Sequence, residues 1–343
     1  MSNPPPVVLD ARDGYAAPLR GWGRYAHELA ERLPKDLVTV YRGVLPGPQV
    51  LAEQVALPLV ALRSGARVVH APNCFLPLVR RGAGVVTVHD LAFEAFPDDF
   101  SRRTGTKYRW ITPRAVRSAD RVIAVSQATA DDLAVRYGVP SAKVRVIPNA
   151  PSLPFGDAPL PAVAAGDGTP YLLCVGDLRA KKNLARVVAA WSALRASGEF
   201  AGRLVIAGQG DVGALGLAAG SPLPPGLVVT GYLDDASLDA TMRGAACVVH
   251  ASLYEGFGLV VAEAMARGVP VAIADATALP EVAGDACEAF DPLDAEAIAA
   301  AVLRAVAPAR SAELAVLGRA RAATFSWDAS AAATADVYRE LLP

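Results

Sequence analysis

The stretch from Cys247 to Ala286, CVVHASLYEGFGLVVAEAMARGVPVAIADATALPEVAGDA, constrains the fold more than any other part of the chain. Its first six residues are mostly apolar and β-leaning and predict a buried strand. Leu253-Tyr254-Glu255-Gly256-Phe257-Gly258 follows as a turn whose two glycines let backbone approach a ligand. Leu259 to Arg267 is predicted as a helix with Gly268 as its C-cap, and Val269 to Ala274 as the next strand. A strand, a glycine turn, a helix and a second strand form one βαβ unit of a parallel sheet.

The helix starts where the glycine turn ends, so its first N–H groups make an anion site of the kind phosphate occupies. Glu255 stands in the turn. Glu263, eight positions on, is the one charge within LVVAEAMA, and a carboxylate there is unfavourable unless it is hydrogen-bonded. Two readings are open. One is a solvated helix face with Glu263 and Arg267 paired at i,i+4. The other is a pair of carboxylates accepting hydrogen bonds from hydroxyls of a ligand that also carries phosphate, as a nucleotide sugar does.

The chain's 343 residues suit two domains, and with 53% hydrophobic residues a core is not limiting. The net charge of −1 conceals an asymmetry: residues 1–150 hold 20 Lys/Arg against 13 Asp/Glu, and residues 151–343 hold 13 against 21. Such halves are expected to face different partners. The near-neutral total and the lack of a known motif argue against nucleic acid. Cys74, Cys174, Cys247 and Cys287 are far apart and without metal spacing, which predicts reduced thiols of a cytoplasmic protein. No charged-then-apolar leader opens the chain and no run is long enough to span a membrane.

In chain order, Val7 to Leu9 is predicted as a strand, Arg20 to Tyr25 as a glycine-rich loop and Ala26 to Leu33 as a helix, half of a nucleotide-binding unit or a plain βα turn. Val68 to Ala71 and Val85 to His89 are further strands, and His89 falls where ligand crevices open in such sheets. Residues 101–121 hold seven cations, Arg102, Arg103, Lys107, Arg109, Arg114, Arg117 and Arg121, interleaved with Tyr108, Trp110 and Ile111. They read as a solvated face or as a surface for an anionic acceptor or membrane. Arg121 to Ser126 is a strand, Ser126 caps the helix Gln127 to Tyr137, and Val144 to Ile147 is a strand. The Pro- and Gly-rich residues 151–170 read as a linker.

The architecture then restarts. Tyr171 to Val175 is a strand, Gly176 to Asn183 a cation-rich turn, and Leu184 to Ala196 a helix. Arg179, Lys181 and Lys182 at that edge suit a diphosphate or simply a solvated loop. Leu204 to Ala207 is a strand, and Gly208 to Gly213 matches the dinucleotide fingerprint. Gly216, Gly220 and nearby prolines make the required helix poor, so an NAD-dependent oxidoreductase is the weaker reading. Val228 to Gly231 is a strand, and Leu238 to Ala245, Asp294 to Val306, Ala312 to Thr324 and Trp327 to Leu342 are helices. Alternating βα units around a linker predict two parallel-sheet domains with a cleft between them.

Several segments carry a resemblance: RGWGRYAHEL, VVTVHDLAFEAFP, ADRVIAVSQATADDL, VRVIPNA, YLLCVGDLRAKKNL, LVIAGQG, VVTGYLDDASL, SLYEGFGLVVAEAMARGVPVA and LPEVAGDA. From about Asp10 to Tyr338 the chain resembles the retaining glycosyltransferases of family 4, among them mannosyltransferase- and rhamnosyltransferase-like members of polysaccharide pathways. The resemblance implies an α/β GT-B fold of two Rossmann-like domains, an acceptor domain over 1–155 completed by a tail helix over 327–343, and a donor domain over 165–326. It implies that Glu255 contacts donor-sugar hydroxyls and Glu263 the ribose. Gly256, Phe257, Gly258 and Leu259 would hold sugar and diphosphate through backbone N–H groups, and Lys182 would neutralise the leaving phosphates. Gly23, Gly208 and Tyr232 are expected to line the donor, and His89 to lie near its sugar. Many members have Arg after the glycine matching Gly176, where this chain has Asp177, so Arg179 and Lys181 compete as the second phosphate cation.

The implied reaction is hexosyl transfer, with GDP-mannose the first donor expected and UDP-sugars the second, to a saccharide or lipid-linked acceptor. Retention is expected, with His89 as the base an inverting reaction would require. The chain has no Asp-x-Asp, so no metal and no cofactor are expected. A sugar-nucleotide epimerase, a phosphorylase or a non-catalytic binding module would share the fold. A monomer or weak homo-oligomer is expected, cytoplasmic and in peripheral contact with the inner face of the membrane through residues 102–121.

Overall fold

The computed structural model describes residues 4–16, 19, 21–43, 49–218 and 221–343; Arg20 and Gly220, singled out above, lie outside the described residues. The chain divides into two compact units, residues 1–150 with 325–343, and residues 151–324.

The first unit is built on six parallel strands: β1 (Val7–Asp10), β2 (Val38–Tyr41), β3 (Val68–Ala71), β4 (Ala83–Val88), β5 (Arg121–Ala124) and β6 (Val144–Val146). Their order is β2-β1-β3-β4-β5-β6, with Val7 beside Val38 on one side and Val68 on the other. The central strands are Val-rich and buried nearly along their whole length, as parallel strands covered on both faces are. Strand order reverses between β1 and β3, and a crevice opens at the carboxyl ends of such a pair.

Two expectations change here. The first long helix runs Gly21–Arg32, so Gly23 is not in a loop but in the first turn, buried. A Cβ on Gly23 would stand 2.7 Å from the Asp13 carbonyl oxygen, so its small size admits the neighbouring main chain. Strand β2 and a helical run over residues 49–63, with a π-turn at Ala52–Ala56, were not marked by the sequence pattern. The basic segment forms a single helix, Arg102–Ser118.

The chain's last helix, Trp327–Arg339, belongs to this unit. Trp327, Ala331, Ala335 and Tyr338 share its core with Val7, Leu9, Tyr25 and Leu29. A buried polar line runs through that core. Tyr338 Oη and His70 Nδ1 are hydrogen-bonded at 2.6 Å, His70 Nε2 and Thr87 Oγ1 at 2.8 Å, and Thr87 Oγ1 and Tyr25 Oη at 3.0 Å. Burial pushes His70 down to about 3, so the folded chain holds it neutral.

The second unit has six more parallel strands: β7 (Tyr171–Val175), β8 (Arg203–Ala207), β9 (Leu227–Val229), β10 (Cys247–His250), β11 (Val271–Ala274) and β12 (Glu288–Phe290). Their order, β12-β11-β10-β7-β8-β9, is that of a Rossmann sheet, with the reversal between β7 and β10. Residues 151–170 do not form a free linker but pack onto this unit. Leu153 N–H donates to Glu263 Oε1 at 3.2 Å, Gly156 N–H to Asp239 Oδ2 at 3.2 Å, and Ala164 is buried. Asp239, itself buried, also binds Arg243 (2.9 Å) and Arg267 (2.7 Å). All four cysteines are free thiols. Among the described residues no helix is long and apolar enough to cross a membrane.

The His70 line generates a prediction. Unfolded, this imidazole protonates near 6.5; folded, only near 3. Between those values the unfolded chain binds the extra proton, so stability falls as pH is lowered through that window, by about 1.4 kcal/mol per pH unit from this group. His89 and His250 are shifted down too and act in the same direction. Urea unfolding at several pH values between 4 and 7 should therefore show a shallower pH slope for His70→Gln than for the native chain.

Candidate functional site

In the second unit the reversal between β7 and β10 brings together the loop after one strand and the turn after the other. The β7 loop, residues 176–183, bends through a short 3-10 turn at Ala180–Lys182. Asn183, left-handed at φ 57°, then opens the helix Leu184–Ser197, and its Nδ2 donates to the Pro292 carbonyl at 2.7 Å. The β10 turn is tied to this loop by Leu253 N–H donating to the Lys181 carbonyl at 2.8 Å.

Glycines make these approaches possible. Gly176 has φ 136°, and a Cβ there would stand 2.8 Å from Lys182 Cε, so the lysine stem lies across bare backbone. A Cβ on Gly208 would fall 1.9 Å from the Gly176 carbonyl oxygen. Gly208 is therefore required by loop-to-loop packing. The segment Gly208 to Gly213 runs into the short 3-10 turn Val212–Leu215, and among the described residues the helix a dinucleotide site needs does not follow.

The charged centre is Glu255. Lys182 Nζ donates to its Oε1 at 2.6 Å, Lys181 Nζ lies 3.8 Å from Oε2, and His250 Nε2 is 3.3 Å from Oε1. Its own N–H donates to Thr277 Oγ1 at 3.0 Å. Burial opposes ionisation of Glu255, but Lys182 and Lys181, with His250, outweigh it and hold the carboxyl well below its usual range. Burial, then the facing lysine, pushes His250 down, so it stands neutral beside the pair. Sequence reasoning missed His250 and Thr277. A lone histidine ending an apolar strand was the available signal for the first; the second is 22 residues away in the chain from the residue it holds.

Beside this cluster begins the helix Leu259–Ala266. Its N-cap is Gly258 at φ 100°, where a Cβ would meet Leu279 Cδ2 at 2.7 Å, and no side chain caps the helix. Its first N–H groups are thus oriented for an anion. The structure brings together Lys181, Lys182, Glu255 and the turn of Gly256, Phe257, Gly258 and Leu259. Arg179 pairs with Asp177 at 3.2 Å. Glu263 is buried on the same helix and accepts from Leu153 N–H, while Arg267 binds the Glu263 carbonyl oxygen through Nη1 and Asp239 through Nε. Tyr232 is more than half exposed beyond β9, the sheet's edge strand, and is not drawn into the cluster.

In the first unit, His89 follows β4. Its Nε2 is 2.8 Å from the Pro72 carbonyl and its ring meets the Tyr25 ring edge-on at 4.8 Å. Burial pushes it down, against the pull of that carbonyl, so the ring is neutral with Nε2 as donor and Nδ1 as acceptor. At the β1/β3 reversal, Asn73 Nδ2 donates to Asp13 Oδ2 at 2.6 Å. A cavity of about 720 Å³ opens there, lined among others by Asp13, Trp22, Asn73, Phe75, Lys107 and Trp110. Below it, Lys107 binds the buried Glu53 at 2.9 Å, and burial pushes Glu53 up to about 7 against that pull. Among the described residues no three His, Cys, Asp or Glu side chains converge as a metal site would require.

Two Rossmann-like parallel sheets, one bearing a lysine–carboxylate cluster and an uncapped helix start at its strand reversal, define the GT-B class of glycosyltransferase. Comparison with known proteins gives the same answer. The family model Glycosyl transferases group 1 matches residues 169–307, and Glycosyltransferase Family 4 matches residues 40–152. O-antigen chain mannosyltransferase B of Escherichia coli is 28% identical over 285 residues, 79% of this chain and 74% of that one. MMP alpha-(1->4)-mannosyltransferase of Mycolicibacterium hassiacum is 26% identical over 330 residues, 90% and 79%. Among solved structures, sucrose-phosphate synthase from Thermosynechococcus elongatus has a TM-score of 0.74 at 22% identity, covering 98% of this chain and 99% of that one, a likeness of fold. The chain belongs to the group 1 glycosyltransferases of family 4 type.

The glycine contacts give a prediction about the site's frame. Gly208→Ala, which drives Cβ into the Gly176 carbonyl, should lower stability by more than about 2 kcal/mol in urea unfolding. Gly213→Ala, whose Cβ would meet Asp211 Oδ1 at 3.3 Å, should shift it by less than about 1 kcal/mol.

Proposed function

We propose that this glycosyltransferase transfers a hexose with retention and without a metal, taking mannose from GDP-mannose in the first instance, or another hexose from a UDP-sugar. The acceptor is a saccharide or a lipid-linked saccharide. The observation that carries the reading is the pair Lys181 and Lys182 converging on Glu255 beside the uncapped start of Leu259–Ala266. The naming of two relatives as mannosyltransferases supports the choice of sugar.

Breaking the bond between the anomeric carbon and the diphosphate leaves negative charge on the departing phosphate oxygen. Lys182, Lys181 and the N–H groups of Gly258 and Leu259 are fixed donors for that charge, and donors held in place before the reaction usually supply more of the rate enhancement than any other effect. We assign the second cation to Lys181, because Arg179 is engaged by Asp177. Glu255 stays ionised and has a second role, accepting hydrogen bonds from sugar hydroxyls; Glu263 does so from the ribose. In the proposed retaining course the acceptor oxygen attacks from the face the diphosphate leaves, and its proton passes to the leaving phosphate oxygen. The neutral His89, with Nδ1 as acceptor, is the base an inverting course would need instead.

Two measurements test this. Lys182→Ala and Glu263→Ala should each weaken nucleoside diphosphate binding by about 1.5–3 kcal/mol, the worth of a hydrogen bond to a charged group; calorimetry showing unchanged affinity in both removes the site. The anomeric configuration of the product, read from its NMR coupling, should equal that of the donor.

A further inference from the structure

The helical run over residues 49–63, QVLAEQVALPLVALR, is apolar on both sides. Its inner side buries Ala52, Leu57 and Ala61. Its outer side presents Leu51, Val55, Leu59 and Leu62 at spacings of four, four and three, which is one face of a helix. Each of the four is 46–55% exposed. A helix apolar all round is ordinarily buried all round, and an exposed apolar stripe marks an interaction surface. The segment's one acid, Glu53, is turned inward onto Lys107.

The neighbours of this stripe extend it and charge it. Gln54 holds the adjacent loop by accepting from Leu78 N–H at 2.9 Å, and that loop presents Val79, the next exposed aliphatic residue. At the C-terminal end Leu62 shares a hollow with Arg67 and Arg81, and Arg63 ends the helix. At the N-terminal end Val50 shares the 720 Å³ cavity with Arg103, Trp22 and Trp110. Both tryptophans are about half exposed, and the Arg114 guanidinium lies over the Trp110 ring at 4.3 Å.

We propose that this face is a docking surface for an anionic lipid bilayer. Aliphatic side chains in a row would enter the acyl boundary, half-exposed tryptophans would take the interface, and arginines at both ends would meet lipid phosphates. Charge complementarity selects the occupant: cations stand at both ends of the stripe, and the segment's one acid faces the core. The surface lies mainly on residues 49–63, with the basic helix Arg102–Ser118 contributing one margin. It does not depend on the identity of the donor.

Co-sedimentation with vesicles tests it. The native chain should bind phosphatidylcholine vesicles containing about one third phosphatidylglycerol, and bind pure phosphatidylcholine about tenfold or more weakly. Val55→Glu with Leu59→Glu should cut binding to the anionic vesicles by about tenfold or more while keeping the native unfolding midpoint. Arg63→Ala with Arg81→Ala should weaken binding and flatten its dependence on salt. Nucleotide affinity should be unchanged in both variants, so failure here is distinguishable from failure of the donor site. No binding to anionic vesicles, or native binding by the double glutamate variant, overturns the proposal. So does light scattering that shows a lipid-free dimer split by those glutamates, which would make the face a self-association surface.

Discussion

The second unit's lysine cluster depends on keeping one carboxylate ionised under cover. Burial alone would drive Glu255 toward its neutral form, and the two lysine ammonium groups reverse that. The arrangement is reciprocal, since Glu255 is a carboxylate that both lysines approach. Much of the local backbone serves this meeting. Gly176 lets the Lys182 stem lie flat, Gly208 lets the next loop close behind it, and left-handed Asn183 turns the chain into its helix. A phosphate group arriving there would meet donors already held in place, which is the condition under which electrostatic stabilisation is strongest.

The first unit uses the same topological device for different ends. Its reversal between β1 and β3 opens a cavity of about 720 Å³ walled by tryptophan and phenylalanine, with the Asp13–Asn73 pair among its polar lining. Aromatic walls with a few polar groups suit a sugar ring better than a diphosphate. Trp22, Val50, Arg103 and Trp110 line that cavity and also border the proposed bilayer surface. If both proposals hold, a lipid-anchored acceptor would reach the cavity along the proposed bilayer surface.

Much of this was legible in the sequence, for identifiable reasons. Buried parallel strands are largely apolar runs, so β1, β3, β7, β8, β10 and β11 announce themselves, and the glycine turn before Leu259 marks the start of the uncapped helix. Strand β2 escaped notice because Val38–Tyr41 is short, half-buried and mixed with polar residues. The run over 49–63 escaped because a helix apolar on both faces has no clear polar side to reveal its period. Within the site, pairings set by tertiary contact were invisible: Glu255 with His250 and Thr277, and Glu263 with Leu153 N–H, 110 residues earlier. The proposed preference for Lys181 over Arg179 rests on the Asp177 pairing, which depends on where a flexible side chain rests.

The return of the last helix has a consequence for how the molecule is made. The second unit is one uninterrupted stretch, 151–324, and holds all its strands once Phe290 has been synthesised. The first unit is not: Trp327, Ala331 and Tyr338 fill its core, and Tyr338 closes the line to His70. Emerging from the ribosome, residues 1–150 wait with an open seam while the later half is translated and folds. The unit begun first in this stretch is thus completed after its neighbour, and loss of Trp327–Arg339 would injure that unit while sparing residues 151–324.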